Sequence, residues 1–258
     1  MKGSLKVAAL QPLSTGSWAE IVKRAARMVA EASAAGAEIV CLPEHWLLGK
    51  KPGLERSLPA LKEEAIRSQT VVIAGAGFVR KEEGVFVESV VIDRDGKELG
   101  RQRKTHLFGK EKSVARPGNE YNIFEAEGVS FGVAICHDLV YPEVARTYAL
   151  KGADVIFAPA WITTAGIEPW HLYLKARALE NRIPIVSPSV LSPPRLPGRS
   201  MIVGLEARGK IVYPAVLAEG GPTERVLLAT LDLRAAERAR RQRLASRRPE
   251  TYSALVNR

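Results

Sequence analysis

Cys136 closes the apolar run VSFGVAIC and is followed at once by His137 and Asp138, then by Tyr141-Pro142, which opens a helical pattern. A thiol at the end of a strand lies at the rim of a sheet, where open α/β folds keep their ligands. As a thiolate it is a strong nucleophile, and the chemistry it suggests is covalent attack on a carbonyl-type carbon. Such an attack needs a group to take the thiol proton and donors to hold the oxyanion. His137 is the nearest base, but neighbouring side chains along a strand point to opposite faces, so its imidazole is expected to face away from the sulfur. Glu44 is the better candidate. It ends the apolar run AEIVCLPE much as Cys136 ends its own, and a carboxylate at a desolvated strand end can accept a proton from a thiol. Pro43 before it and His45-Trp46-Leu47 after it speak against a solvated loop glutamate. Lys104, in GRQRKTHLFG, follows a hairpin strand and could hold the oxyanion, although one lysine among 38 basic residues carries little by itself.

Periodicity and turn signals supply the elements that must position these groups. Residues 5–10 read as a strand, and 17–37 as a helix with Ser17 as N-cap, Glu20 completing a capping box and Gly36 as its stop. A buried strand over 37–44, a helix over 59–68 and a strand over 70–79 follow. A hairpin turning at Asp95-Gly96 comes next, then strands at 121–127 and 129–136. After Cys136 the pattern is helix 142–153, strand 154–160, helix 169–181 and strand 183–190, and the last third returns to hairpins at 201–214 and 225–233. Alternation at the ends with hairpins between fits two mixed sheets packed face to face with helices outside. With no low-complexity linker, 1–258 is expected to form one domain.

The whole-chain properties narrow the alternatives. Hydrophobic residues make up 46% of the chain, yet no apolar run approaches the roughly 20 residues that span a bilayer, so no membrane role is expected. Lys6 interrupts the stretch a signal peptide would need to be apolar, which points to a cytoplasmic protein. Cys41 and Cys136 are too few for a disulfide framework, and Cys41, mid-strand, reads as core. His45, His106 and His171 show no metal-type spacing with one another or with the cysteines, so no metal site is expected. Half of the net charge of +10 falls in 232–258, where eight arginines face three acids. Seven of those arginines precede the segment's one aromatic residue, Tyr252, so none of the seven is interleaved as base stacking would want, and a solvated or subunit-bridging helix and tail are expected rather than a nucleic-acid site. Asn and Gln are scarce, four of each, a bias that suits a thermophile.

In combination, LPE at 42–44, RKTHLFG at 103–109 and GVAICHD at 132–138 resemble the nitrilase superfamily of carbon-nitrogen hydrolases, in the family's order and at compatible separations. FGKEKSVARPG, YPE, APAW, RALENRIPIV, GRSMIV and RRPETY extend the resemblance over essentially the whole chain. It implies an α-β-β-α sandwich in which Glu44, Lys104 and Cys136 form a catalytic triad and Glu111 is the second glutamate beside it. It further implies a cysteine thioester intermediate, no metal or organic cofactor, and at least a homodimer with the arginine-rich tail at the subunit interface. The oxyanion would rest on Lys104 and the backbone N–H of His137. Trp46 and Trp161 could line the pocket or belong to the core. Arg116 could bind a substrate carboxylate or anchor its own loop. Asp138 is expected to bind backbone or a basic neighbour, and Glu143 to serve as helix N-terminal charge or in a salt bridge. Nitrilases proper carry Cys-Trp-Glu at the nucleophile, whereas amidase-like members carry Cys-X-Asp; Cys136-His137-Asp138 leans toward a small amide substrate. The alternatives are a nitrile substrate or, from another class, a non-catalytic basic protein that binds nucleic acid or protein.

Overall fold

The computed structural model describes residues 2–255. In chain order the elements are β1 (Ser4–Gln11), α1 (Trp18–Ala34), β2 (Ile39–Cys41), α2 (Leu54–Ser68), β3 (Val71–Lys81), β4 (Gly84–Ile92), β5 (Glu98–Arg103), α3 (Glu111–Val114), β6 (Ile123–Ala126), β7 (Val129–Val133), α4 (Pro142–Leu150) and β8 (Val155–Phe157). They continue with α5 (Ile167–Asn181), β9 (Ile185–Ser187), the short pair β10 (Leu191–Ser192) and β11 (Leu196–Pro197), β12 (Met201–Arg208), β13 (Ile211–Glu219), β14 (Arg225–Asp232) and α6 (Leu233–Ala245). Two six-stranded mixed sheets result, ordered β14-β1-β2-β3-β4-β5 and β13-β12-β9-β8-β7-β6.

Strand alternation assigns the layers. In the first sheet Ala8, Leu10, Val40, Leu42 and Val72 turn outward onto Ile21, Ala25 and Met28 of α1 and Leu58 and Leu61 of α2. Their neighbours Val7, Ala9, Ile39, Cys41 and Val71 turn inward and pack with Phe131, Val133, Phe157, Val186 and Ile202 of the second sheet. Trp170 and Leu174 of α5 and Val144 and Tyr148 of α4 close the far side. The order of layers is therefore α-β-β-α, as the resemblance implied.

Local signals act as expected at α1, where Ser17 and Glu20 form the reciprocal capping box. At α2 the helix begins at Leu54, ahead of the expected start at Pro59, which sits inside it. The central strands are shorter than their apolar runs. The strand expected to run through Cys136 ends at Val133, and the one expected to reach Glu44 ends at Cys41. Among the described residues no helix is long and apolar enough to cross a membrane.

The arginine-rich C-terminus is only partly solvated. Arg240 of α6 is 6% exposed and donates to Asp154 at 3.2 Å, whose other oxygen accepts the Ser130 N–H at 3.1 Å. Arg240→Ala would strand a buried carboxylate and should cost about 3–5 kcal/mol, read as a lowered denaturation midpoint. The double variant Arg240→Leu/Asp154→Asn should lose much less; equal losses would show that packing, not charge, is at stake. Beyond α6, Tyr252 and Leu255 share a surface cavity with Pro142, Glu143 and Arg146 of the same chain. The last residues of the expected interface tail, 256–258, lie outside the described residues.

Candidate active site

The loop that follows β2 brings Glu44 into a lone parallel bridge with Ala76, where β3 bulges and its register with β4 slips. Gly75 sits in that bulge at φ +71°, and a Cβ there would fall 2.1 Å from the Pro43 carbonyl oxygen. Only glycine allows this approach, and it is what presents Glu44 at the sheet end. Lys104 follows β5 directly. Its backbone N–H donates to Val87 O and its carbonyl accepts from Gly118 N, both at 2.8 Å. Its ammonium donates to Glu44 Oε1 at 2.7 Å and lies 2.8 Å from Glu111 Oε2. Glu111, the first residue of α3, also meets His45 Nε2 at 3.0 Å and accepts the Phe108 N–H at 2.8 Å. Glu44 and Lys104 are each 1% exposed, Cys136 and Glu111 each 8%.

Cys136 comes from the other sheet. It starts a tight 3-10 turn, Cys136–Val140, with φ +47°, a conformation that is costly for a residue with a Cβ and typical of functional turns. Its N–H donates to Pro159 O at 2.9 Å, and its sulfur lies 4.0 Å from Trp161 O. Burial, then the adjacent Glu44 carboxylate, push the thiol well above its ordinary range, with Lys104 opposing. Burial alone would weaken the Lys104 charge, but Glu44, Cys136 and Glu111 outweigh it and raise its pKa. For Glu111 burial raises the pKa, while the His45 and Lys104 contacts prevail and bring it down to about 2. The site thus holds the Cys136 thiol against ionising and sets it beside the Lys104 ammonium that Glu44 and Glu111 bind.

The structure brings Glu44, Lys104, Glu111 and Cys136 together. Around them it corrects several expectations. His137 packs its ring on Phe108 at 4.8 Å and Tyr141 at 5.4 Å. Its orientation arises from the turn at Cys136 and not from strand alternation, since no strand reaches it. Burial, then Lys104, lower its pKa and favour the neutral ring. Trp46 is 1% exposed, bonds Ala74 O at 3.0 Å and belongs to the core under α1 and α2, because its side chain falls on the helix side of the first sheet. Arg116 is exposed and crosses Gly84, while its N–H binds Val85 O at 2.8 Å; it anchors its own loop on the β3–β4 turn. Trp161 is half-buried, and its carbonyl faces the sulfur.

Two further residues matter. Asp138, 1% exposed, accepts Thr105 N at 3.1 Å, Thr105 Oγ1 at 2.8 Å and His106 N at 2.7 Å through one oxygen, and Ile135 N at 3.2 Å through the other. It staples the chain after Lys104 to the chain before Cys136. Asp138→Ala should lower kcat about 100-fold, since an ångström of misplacement costs that much, with a smaller effect on KM. An unchanged kcat would remove the staple role. His45 was not singled out from the sequence, although it adjoins Glu44 in the chain. Its ring, tilted on Phe78 at 4.9 Å, completes the Glu111 contacts. Ligand atoms of Glu44, His45 and Glu111 lie within 4.8 Å of one another, a spacing that would suit a metal ion. The Lys104 ammonium already bridges both carboxylates and is the cation of that cluster.

Residues 6–241 match the family described as carbon-nitrogen hydrolase, a span that takes in all four clustered side chains. The chain belongs to the carbon-nitrogen hydrolase family. This hydrolase is 31% identical over 235 residues to 2-oxoglutaramate amidase of Bacillus subtilis (strain 168), covering 86% of this chain and 88% of that one. It is 30% identical over 237 residues to omega-amidase NIT2 of Xenopus tropicalis, covering 83% of each. In fold it is similar to the crystal structure of a carbon-nitrogen hydrolase from Helicobacter pylori G27, with TM-score 0.86, 22% identity and 99% of each chain covered. Saccharomyces cerevisiae Nit3, a member of branch 10 of the nitrilase superfamily, follows at TM-score 0.82 and 24% identity, with 96% of this chain and 97% of that one covered.

Proposed function

We propose that this carbon-nitrogen hydrolase cleaves a small amide to carboxylate and ammonia through a thioester on Cys136. The observation that carries this is the buried Lys104 ammonium held between Glu44 and Glu111 beside the Cys136 thiol. Glu44 takes the Sγ proton as sulfur bonds to the amide carbon. The carbonyl oxygen gains the electron pair and rests on Lys104 and the His137 backbone N–H, and preorganised donors of this kind are worth about 3 kcal/mol each. Glu44 then returns the proton to nitrogen, the C–N bond breaks and ammonia leaves. Water, deprotonated by Glu44, attacks the thioester, and the carboxylate departs as Cys136 regains a proton. Glu111 orients Lys104 and, through it, the substrate amide. No step calls for a metal or organic cofactor.

Amide is preferred to nitrile on the Cys-X-Asp sequence and on the names of the two curated relatives, both amidases. Asp138 is spent on backbone donors and the Thr105 hydroxyl, so any influence it has on that choice acts through the shape of the turn. The test is ammonia release from a panel of aliphatic amides and nitriles by wild type and Cys136→Ala. Release from amides that disappears in the variant supports the proposal; release from nitriles only overturns the substrate class. No release at all, with tight salt-sensitive binding of nucleic acid, would point to the non-catalytic alternative. We further propose a homodimer or larger assembly, checked by light scattering. A cytoplasmic, thermophilic setting is part of the same proposal; a melting midpoint within the mesophilic range of about 45–65 °C would count against the thermophile.

A further inference from the structure

We infer that His45 is a positioning residue, bracing Glu111, and through it the Lys104 ammonium, against the sheet end that carries Glu44. This rests on the amide chemistry proposed above. Glu111 opens α3, a helix of four residues, and in the stretch 108–114 every residue but Glu111 is exposed. So short and solvated a turn has little packing of its own with which to fix one carboxylate. Its contacts must do so instead. Glu111 Oε2 accepts the Phe108 N–H at 2.8 Å and lies 2.8 Å from Lys104, while Oε1 meets His45 Nε2 and Lys104 Nζ, each at 3.0 Å. Phe108 belongs to the same turn, and Lys104 is the group to be held. Among the described residues, His45 is therefore the partner that ties the carboxylate to the rest of the fold.

His45 is itself firmly placed. Its backbone has φ +48°, a conformation that is costly for a residue with a Cβ, and its N–H donates to Ala76 O at 2.6 Å in the bulge that also presents Glu44. Its ring tilts on Phe78, and its side chain is 19% exposed. Burial would raise the pKa of Glu111, but the His45 and Lys104 contacts bring it down to about 2, so its oxygens only accept. Nε2 must then carry the hydrogen. What the site asks of His45 is one N–H at one place, and not an acid or a base. Without that N–H, Oε1 keeps Lys104 alone; the carboxylate can swing about its Phe108 bond and draw the ammonium off the line on which the oxyanion forms.

The test measures kcat and KM of wild type, His45→Phe, His45→Gln and His45→Asn on the amide of the panel above that wild type turns over fastest. Phenylalanine keeps a ring against Phe78 and removes the donor. Its kcat should fall about 10- to 100-fold, the cost of misplacement by an ångström or less, with KM nearly unchanged, as for an interaction that serves the transition state. Glutamine carries an amide N–H as far from the backbone as Nε2 and should recover most of the loss; asparagine reaches only as far as Nδ1 and should not. A role in packing would not separate those two. Wild-type kcat in His45→Phe, or equal kcat in the Gln and Asn variants, overturns the assignment, and with turnover still abolished by Cys136→Ala it leaves the amide chemistry standing. Should His45→Phe fail to fold, the comparison of Gln with Asn decides alone. No release from any amide by wild type removes both.

Discussion

Glu44→Gln should leave Cys136 carrying an acyl group, seen in the intact mass as the mass of the product acid less one water, while steady-state turnover falls about 1,000-fold. The two effects come from one change. Glutamine has the size of glutamate and can still accept from Lys104 across the 2.7 Å contact, but it cannot take a proton. The negative charge of Glu44 is also one of the forces that, after burial, keep the thiol protonated. Neutralising it leaves sulfur beside Lys104 with less opposition to ionising, so formation of the thioester is slowed less than its hydrolysis, which needs a base for water. The intermediate then accumulates. Wild-type turnover in the variant would remove Glu44 from the proton path, and an adduct on another residue would remove Cys136 from the covalent step.

Lys104→Met should be inactive and unstable, and unstable in a pH-dependent way. At 1% exposure the ammonium is the shared partner of two carboxylates, and its loss leaves them buried and facing each other. Removing one partner of a buried charge cluster costs about 3–5 kcal/mol. Without the cation, folding raises the carboxylate pKa values above their unfolded ones. The penalty is therefore largest at high pH and is relieved as pH falls and one carboxyl takes up a proton. The gap in denaturation midpoint between wild type and variant should accordingly narrow from pH 8 to pH 5; a constant gap would mean that lost packing, not charge, is responsible. Loss of one oxyanion donor alone predicts a fall in kcat of about 100- to 1,000-fold.

Much of this arrangement was legible in the order of short motifs. Glu44, Lys104, Glu111 and Cys136 all end or follow predictable elements, and the structure gathers them. Less legible was whatever depends on a single dihedral or on which side of a sheet a loop residue falls. The apolar run into Cys136 reads as strand to its end, because hydrophobic spacing carries no mark of the φ +47° that breaks it. Trp46 and Trp161 each follow a strand end with the same local signature, yet one lies under the helices and the other at the thiol. Sequence periodicity records alternation within a strand and loses it where the strand stops. His45 makes its contact across the fold, to Glu111, and adjacency in the chain does not reveal it.

The two sheets contribute unlike chemistry, and all their strands but one come from successive stretches of the chain, β14 returning from the C-terminal part to pair with β1. Glu44, Lys104 and Glu111 all precede residue 112, and Cys136 follows the exposed connection around Asn119-Glu120. On the mechanism proposed above, a chain nicked there would part the base and the cation from the nucleophile, giving one fragment that can move protons and another that can form a bond, neither able to turn over an amide. The enzyme is in this sense a natural split reporter: recovered hydrolysis on mixing the halves would register both the docking of sheet on sheet and the return of β14 to the edge of β1.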